Sequence, residues 1–444
     1  MIQKDEQGNP LSGADGEAAA AYTTAQRQFS CYVGDPVATI DAAIARRPDF
    51  VMAHALKAYL MLLGAEPAGF APARECYAAA RRAAADDRER GHLDAIGHFL
   101  DGNLAQAGRT LEDIAIQHPN DLLALQAGHL TDFLNGDSRM LRDRIARALP
   151  SWRPDMPGYH AVLGMHAFGL EETALYARAE AAGRRALEIE PRDGWAKHAV
   201  AHVIEMQCRP ADGIRFMNEN LADWAEDSFL SVHNWWHLAL YHLEIGDIDT
   251  ALAFYDHPDR IKGGRSPVIF DMLDASAMLW RLTLRGVDVG DRWQPLAEAW
   301  APYARSGLFA FNDAHAVMAF AGAGRADLVE AVLAAQEDAM RGAGDNARIT
   351  ADVGRPVALA LAAFADGDHR AALDLLRPVR HIANRFGGSH AQRDLIDLTM
   401  IEAATRAGDR ATAAALVAER ADLRPASPLT RMLRDRLEAL PAAA

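Results

Sequence analysis

The chain has 444 residues, 50% of them apolar and 24% charged, enough for one elongated repeat domain or for two or three ordinary ones. Its formal net charge is -15, from 46 Lys+Arg against 61 Asp+Glu, a balance that excludes nucleic acid and an anionic membrane as main partners, since both demand basic surface. The three cysteines, Cys31, Cys76 and Cys208, are odd in number and far apart, which speaks against a disulfide framework and against a thiolate zinc site.

The start, MIQKDEQGNPLSGADGE, lacks the basic and apolar regions of a signal peptide, and no apolar run approaches the roughly 18 residues that span a bilayer. The expectation is therefore a cytoplasmic protein. Residues 1–20 are polar and without periodicity and read as a mobile arm. From residue 21 to 444 the pattern is helical almost throughout, with alanine, leucine and arginine dominant and no alternating strand-like runs. We expect a single helical-repeat domain over 21–444.

A repeated grammar runs through this region. The segments at 35–64, 101–137 and 172–206 each combine an alanine-rich helix, a proline with an acidic neighbour and a second helix. Shorter copies recur at 238–256, 358–376 and 401–417. Small residues where two helices touch, such as Ala179 and Ala186, and a proline closing the second helix form the tetratricopeptide pattern. A helical repeat cannot bury its own face alone, so the copies must stack. The expected fold is all-α, a tetratricopeptide-like solenoid of antiparallel helix pairs, able to curl around a central cavity.

The densest titratable stretch lies between Trp195 and Asp256. In WAKHAVAHVIEM, His198, His202 and Glu205 fall within roughly 60° of one another at 100° per residue. In SVHNWWHLALYHLE, His233, His237 and Glu244 share a face, while His242 points to the opposite side and is set aside. Imidazoles four apart on a helix make a chelating pair, so His198, His202, His233 and His237 are candidate metal ligands. A zinc-protease helix, however, carries glutamate directly after its first histidine, and Ala199 and Asn234 stand there instead. The alternatives are metal-free acid–base chemistry, with Glu205 fixing the tautomer of one histidine, and plain structural packing. The leading expectation needs no cofactor and uses His198, His202, Glu205, His233 and His237 as catalytic groups.

Further polar residues interrupt apolar helices and read as walls of the same pocket. Trp236 is placed to edge the histidine face beside Asn234, whereas Trp235 turns toward the core. Asp271 and Asp274 stand one turn apart in VIFDMLDASAMLWRL, and Asn312, Asp313 and His315 break the run LFAFNDAHAVMAF. Buried polar groups of this kind need each other or a ligand. In GGSHAQRD, Ser389 opens a helix bearing Gln392, Arg393 and Asp394, where free N–H groups and Arg393 suit an anion and capping by Ser389 is the simpler account. Phosphate-loop and nucleophile-elbow motifs are absent.

The blocks WAKHAVAHVIEM, SVHNWWHLALYHLEIGDIDTALAFYD, DMLDASAMLWRL, VGDRWQ, FNDAHAVMA, ADVGRP and GGSHAQRD resemble successive blocks of the tetratricopeptide repeat protein 38 family. The resemblance covers roughly residues 50 to 420. It implies an all-helical repeat fold and carries no activity with it. The positions it shares are those of His198, His202, Glu205, His233, Asn234, Trp236, His237, Asp271, Asn312, Asp313, His315, Asp352, Gln392, Arg393 and Asp394, whereas His166 and His242 depart from it.

Two classes of function follow as expectations. One is a small-molecule enzyme, a hydrolase, lyase or isomerase, binding a small polar molecule between its helices. The other is a repeat scaffold that holds a peptide or protein segment. A metal-dependent hydrolase using the paired histidines is a further alternative. No surface stripe announces an oligomer.

Overall fold

A computed structural model describes residues 2–439. Among these residues the chain is all-α apart from one short ribbon, with 25 α-helices joined by brief turns. They fall into two compact units, one from residues up to 200 with 222–231, the other from 201–221 with the described residues from 232 onward. No helix among them is long and apolar enough to cross a membrane.

The first unit opens with an antiparallel ribbon of β1 (Gln3–Lys4) and β2 (Pro10–Leu11). Thus the stretch expected as an arm carries structure. The Asp5 side chain accepts from the N–H groups of Gln7 and Asn9 at 3.0 and 2.7 Å and closes the ribbon's turn. Arg88 donates to the Pro10 carbonyl at 2.7 Å, and the Ser12 N–H donates to Glu89 at 2.8 Å.

Ten helices follow: α1 (Gly16–Cys31), α2 (Pro36–Arg46), α3 (Val51–Leu62), α4 (Phe70–Ala80), α5 (Asp87–Leu100), α6 (Leu104–Gln117), α7 (Leu122–Leu134), α8 (Ser138–Ala148), α9 (Tyr159–Glu171) and α10 (Tyr176–Ile189). Each packs on the next, and the sequence repeats at 35–64 and 101–137 are the pairs α2–α3 and α6–α7. Aspartates start many of these helices, because a short carboxylate just before the first turn meets one of its free N–H groups: Asp15, Asp35, Asp121 and Asp137 all do so. The small residues of the pattern sit at the close contacts. A Cβ at Gly169 in α9 would meet backbone atoms of Leu141 and Arg142 at 2.5 Å, so α8 and α9 pack closely only because that residue is glycine. The unit also buries ion pairs. Asp121 takes Arg88 at 2.7 Å and His92 at 3.0 Å, and Arg144 grips Asp132 through two bonds of 2.7 and 2.8 Å.

Helix α11 (Gly194–Met206) begins in the first unit and ends in the second. The second unit then holds α12 (Pro210–Asn218) and, after α13 (Leu221–Ala225), the helices α14 (Ser231–Glu244), α15 (Ile248–Asp256), α16 (Ile269–Leu284), α17 (Trp293–Trp300), α18 (Ala310–Gly322) and α19 (Ala326–Met340). It ends with α20 (Asp345–Ile349), α21 (Arg355–Ala365), α22 (His369–Leu376), α23 (His390–Arg406), α24 (Arg410–Leu423) and α25 (Pro428–Glu438). The repeats at 358–376 and 401–417 are helix–turn–helix units across Gly367 and Gly408, both at positive φ, which glycine adopts without a Cβ clash. Helix α16 is buried along nearly its whole length and touches α17, α18 and α23. Its polar positions are paired with core aromatics: Ser276 accepts from the Trp300 indole N–H at 3.0 Å, and the Trp280 indole donates to Thr399 at 3.0 Å. This central helix supplies Asp274 and Arg281 to the site described next.

Candidate functional site

The apolar faces of α11, α14 and α16 set the site. In α14, every residue from Val232 to Tyr241 is buried, so the i, i+4 spacing of His233 and His237 sends both imidazoles into protein interior. Within the second unit, His202 of α11 meets them: ring centroids lie 4.4 Å apart for His202 and His237, and 4.8 Å for His233 and His237. Each of the three offers a ring nitrogen, and those nitrogens lie within 4.8 Å of one another. His198, one turn earlier on α11, lies on the first-unit side of the division, where its ring stacks on Phe168 at 5.3 Å and tilts against Trp195 at 4.9 Å.

Two carboxylates hold two of these rings from behind. Both oxygens of Asp274 stand 2.9 Å from Nδ1 of His233, and Glu205 Oε2 stands 3.1 Å from Nδ1 of His237. A carboxylate at Nδ1 accepts its proton, fixes the tautomer and leaves Nε2 as the lone-pair side. Burial raises the Asp274 carboxyl above the ordinary range. Burial, and after it His233 and Arg281, push His237 well below the ordinary histidine range, so its ring is neutral at physiological pH. Trp236 stacks flat on His233 at 5.3 Å and 14°, with the Arg281 guanidinium 5.9 Å from its ring centre. Asn234 is fully buried, and neither atom of its amide has a hydrogen-bond partner among the described residues. An orphaned buried amide of this kind costs roughly 1–3 kcal/mol per group unless water or a ligand meets it.

The remaining predicted residues are placed as follows. Asp271 is engaged locally by Lys262 at 2.9 Å and by the Ser266 hydroxyl at 2.6 Å; its neighbour one turn on, Asp274, is the aspartate at the histidines. Glu244 leaves the histidine face and accepts from the Ser427 hydroxyl and, at 3.4 Å, from the Leu429 N–H. His242 bonds Asp247 at 2.9 Å, apart from the cluster. Trp235 carries Arg260 over its ring at 4.4 Å. Asn312 is buried, and Asp313 accepts from Gln336 at 3.3 Å; burial pushes its carboxyl up to about 7. His315 is tied to the Phe311 carbonyl at 2.8 Å and is pushed down to about 4 by burial. Ser389 and Gln392 form a reciprocal cap at the start of α23, and Arg393 donates to the Gly388 carbonyl, so that helix start is closed by its own residues.

Asp394 lies elsewhere, in a pocket lined by side chains of the second unit. Arg420 embraces it through both terminal nitrogens, one at 3.2 Å, with Arg281 at 3.6 Å and Arg424 at 3.8 Å. Burial pushes the Asp394 carboxyl up, but Arg420, Arg424 and Arg281 outweigh it and hold it well below the usual range. Arg209 and Arg285 line the same pocket, as does Glu205. These arginines, together with the role of Asp274, are the part of the site that sequence reasoning missed. The apolar setting of Arg281 within MLWRL was the one available signal.

No family model matches the chain. Among solved structures, the chain aligns over 95% of its length with 65% of a chain described as "Structure of Naa15/Naa10 bound to HypK-THB", at 14% identity and a TM-score of 0.26. It thus spans less than two thirds of that chain. The protein is an all-α helical-repeat chain with three clustered histidines, two of them backed by carboxylates.

Proposed function

We propose that the second unit binds a divalent transition metal through His202, His233 and His237 and uses it in the hydrolysis of a small polar molecule. The observation that carries this reading is the pairing of Asp274 and Glu205 with the Nδ1 atoms of two histidines whose nitrogens converge with that of His202. Carboxylate–imidazole pairs of this form orient metal-ligating histidines and raise their basicity. Neutral imidazoles suit zinc and its neighbours in the transition series. Three histidine nitrogens are a ligand set that catalytic zinc sites use. A metal held there would supply Lewis acidity to activate water and polarise a substrate oxygen. The chain's own residues do the rest: Asp274 and Glu205 hold the ligand rings, Trp236 covers one of them, and the buried helices exclude bulk water.

Metal analysis of the purified protein tests this. One equivalent of a transition metal, lost in His237→Ala and retained in His242→Ala, is the expected result. A metal-free protein that takes up none from a buffered zinc series overturns it. Two other readings rest on specific features. Without a metal, the His237–Glu205 dyad is a general base, in which case turnover survives chelators and fails in Glu205→Gln. The stacked helix pairs favour a scaffold that holds a peptide segment, and there neither chelators nor His237→Ala alters partner binding.

A further inference from the structure

The pocket around Asp394 is partly open to solvent and has about 40 Å³ into which the centres of water-sized molecules fit. That is room for roughly three waters, or for one small oxyanion. Its charge is unusual for a protein interior. Five guanidinium groups line it, those of Arg209, Arg281, Arg285, Arg420 and Arg424. Only three carboxylates face them, Glu205, Glu244 and Asp394. Each carboxylate is also shared. Glu205 pairs with His237, Glu244 accepts from Ser427 and Leu429, and the single carboxylate of Asp394 is divided among Arg281, Arg420 and Arg424.

The donors are correspondingly in excess. Arg285 makes no ion pair among the described residues; it donates to the Leu243 carbonyl at 2.6 Å. The Nε atoms of Arg281 and Arg420 are buried and have no hydrogen-bond partner among the described residues. Arg281 spends its Nη2 on the Ala391 carbonyl. Buried guanidinium groups are costly unless paired, and burial drives Arg281 down and Arg285 down to about 10. A planar or tetrahedral oxyanion supplies the missing negative charge, and a guanidinium fork binds two of its oxygens in parallel.

We propose that this pocket is a binding site for a small anion bearing a carboxylate or phosphate group, held chiefly by Arg281, Arg285 and Arg420. Binding of the anion stands on the pocket's own residues. Its use as the anchor for a substrate rests on the hydrolase reading, since Glu205 forms part of the pocket wall and also holds His237.

The test is calorimetric titration of the full-length protein, after chelator treatment and again after zinc loading, with inorganic phosphate, with succinate and with succinamide as the uncharged control. Saturable binding of phosphate or succinate to the chelator-treated protein is expected, with affinity falling as salt rises. The stronger of the two anions assigns the ligand's head group. Arg285→Gln is expected to weaken that binding about tenfold or more with the melting temperature of the ligand-free protein unchanged. Arg281→Gln serves as a second variant, its fold checked by circular dichroism. The proposal is overturned if neither anion binds up to about 10 mM. It is equally overturned if succinamide binds as well as succinate, or if both variants bind like the parent. Failure of zinc to bind, with phosphate or succinate still bound, removes the hydrolase reading and leaves the anion site standing.

Discussion

Asp274 approaches Nδ1 of His233 with both of its oxygens at 2.9 Å, and the two side chains are only 1% and 3% exposed. A carboxylate so placed does more than fill a hydrogen bond, because its charge raises the basicity of the opposite nitrogen. Replacing Asp274 with Asn keeps an acceptor for the Nδ1 proton and removes that charge. Zinc affinity is expected to fall about 10- to 100-fold in Asp274→Asn, measured by competition with a chromophoric chelator. Parent-like affinity in a folded variant would argue that His233 is not a ligand.

Asp313 offers a test of pH dependence. Its folded-state value is raised to about 7, above the ordinary 3.8, by burial. The folded protein therefore holds this proton while the unfolded chain has released it. The stability that Asp313 contributes is complete below about pH 4 and is lost as pH rises through about 7. The difference amounts to on the order of 4 kcal/mol. Asp313→Asn retains an acceptor for Gln336 and cannot ionise. Urea unfolding is expected to show the variant gaining on the parent at pH 8 and losing most of that gain at pH 4. An equal gain at both values would sink the assignment.

In the first unit, Asp121 accepts from Arg88, His92 and the Ala124 N–H at 2.7, 3.0 and 2.9 Å. Burial pushes its carboxyl up, but His92 and Arg88 prevail and hold it well below the usual range. Its stabilising contribution is thus present above about pH 4 and lost as pH falls below that. Asp121→Ala strands a buried guanidinium and removes a helix cap, for an expected cost of about 3–5 kcal/mol. Chemical denaturation at pH 7 reads this directly, and a cost under about 1 kcal/mol would contradict the buried network.

Gly213 in α12 sets two effects against each other. Alanine is the better helix former by roughly 1 kcal/mol. A Cβ at this position, however, would stand 2.4 Å from the Tyr241 ring, and that ring is anchored by its hydroxyl to the Ala201 carbonyl at 2.6 Å. Overpacking of this kind costs typically about 1–3 kcal/mol, so Gly213→Ala is expected to lower the melting temperature. A neutral or raised melting temperature would mean that α12 does not press on Tyr241.

Legibility from sequence follows the range of the interaction. The repeats at 35–64, 101–137, 358–376 and 401–417 are readable because helix, turn and helix are local, and aspartate caps and positive-φ glycines mark their ends. His202 is visible for the same reason, through its i, i+4 spacing with His198. Its meeting with His233 and His237 depends on how α11 and α14 pack. Asp271 and Asp274 look equivalent in sequence, both polar in an apolar helix. Their rotation about α16 gives one to Lys262 and Ser266 and the other to His233. The five arginines come from α16, α24 and the turns at the ends of α11, α16 and α24, and arginine is common enough on helical surfaces to give no signal of convergence. The close of Gln392 and Ser389 on each other is a local cap that the sequence pattern already allowed.

Glu205 belongs to two neighbourhoods, touching His237 on one side and forming part of the arginine-lined wall on the other. That position makes it a thermodynamic hinge between them. Whatever factor an anion imposes on metal affinity by drawing Glu205 toward or away from His237, the metal must impose the same factor on the anion. Measured in both directions, the two titrations therefore close a cycle, and Glu205→Gln, which keeps the shape and removes the charge, is the substitution expected to bring that factor toward one.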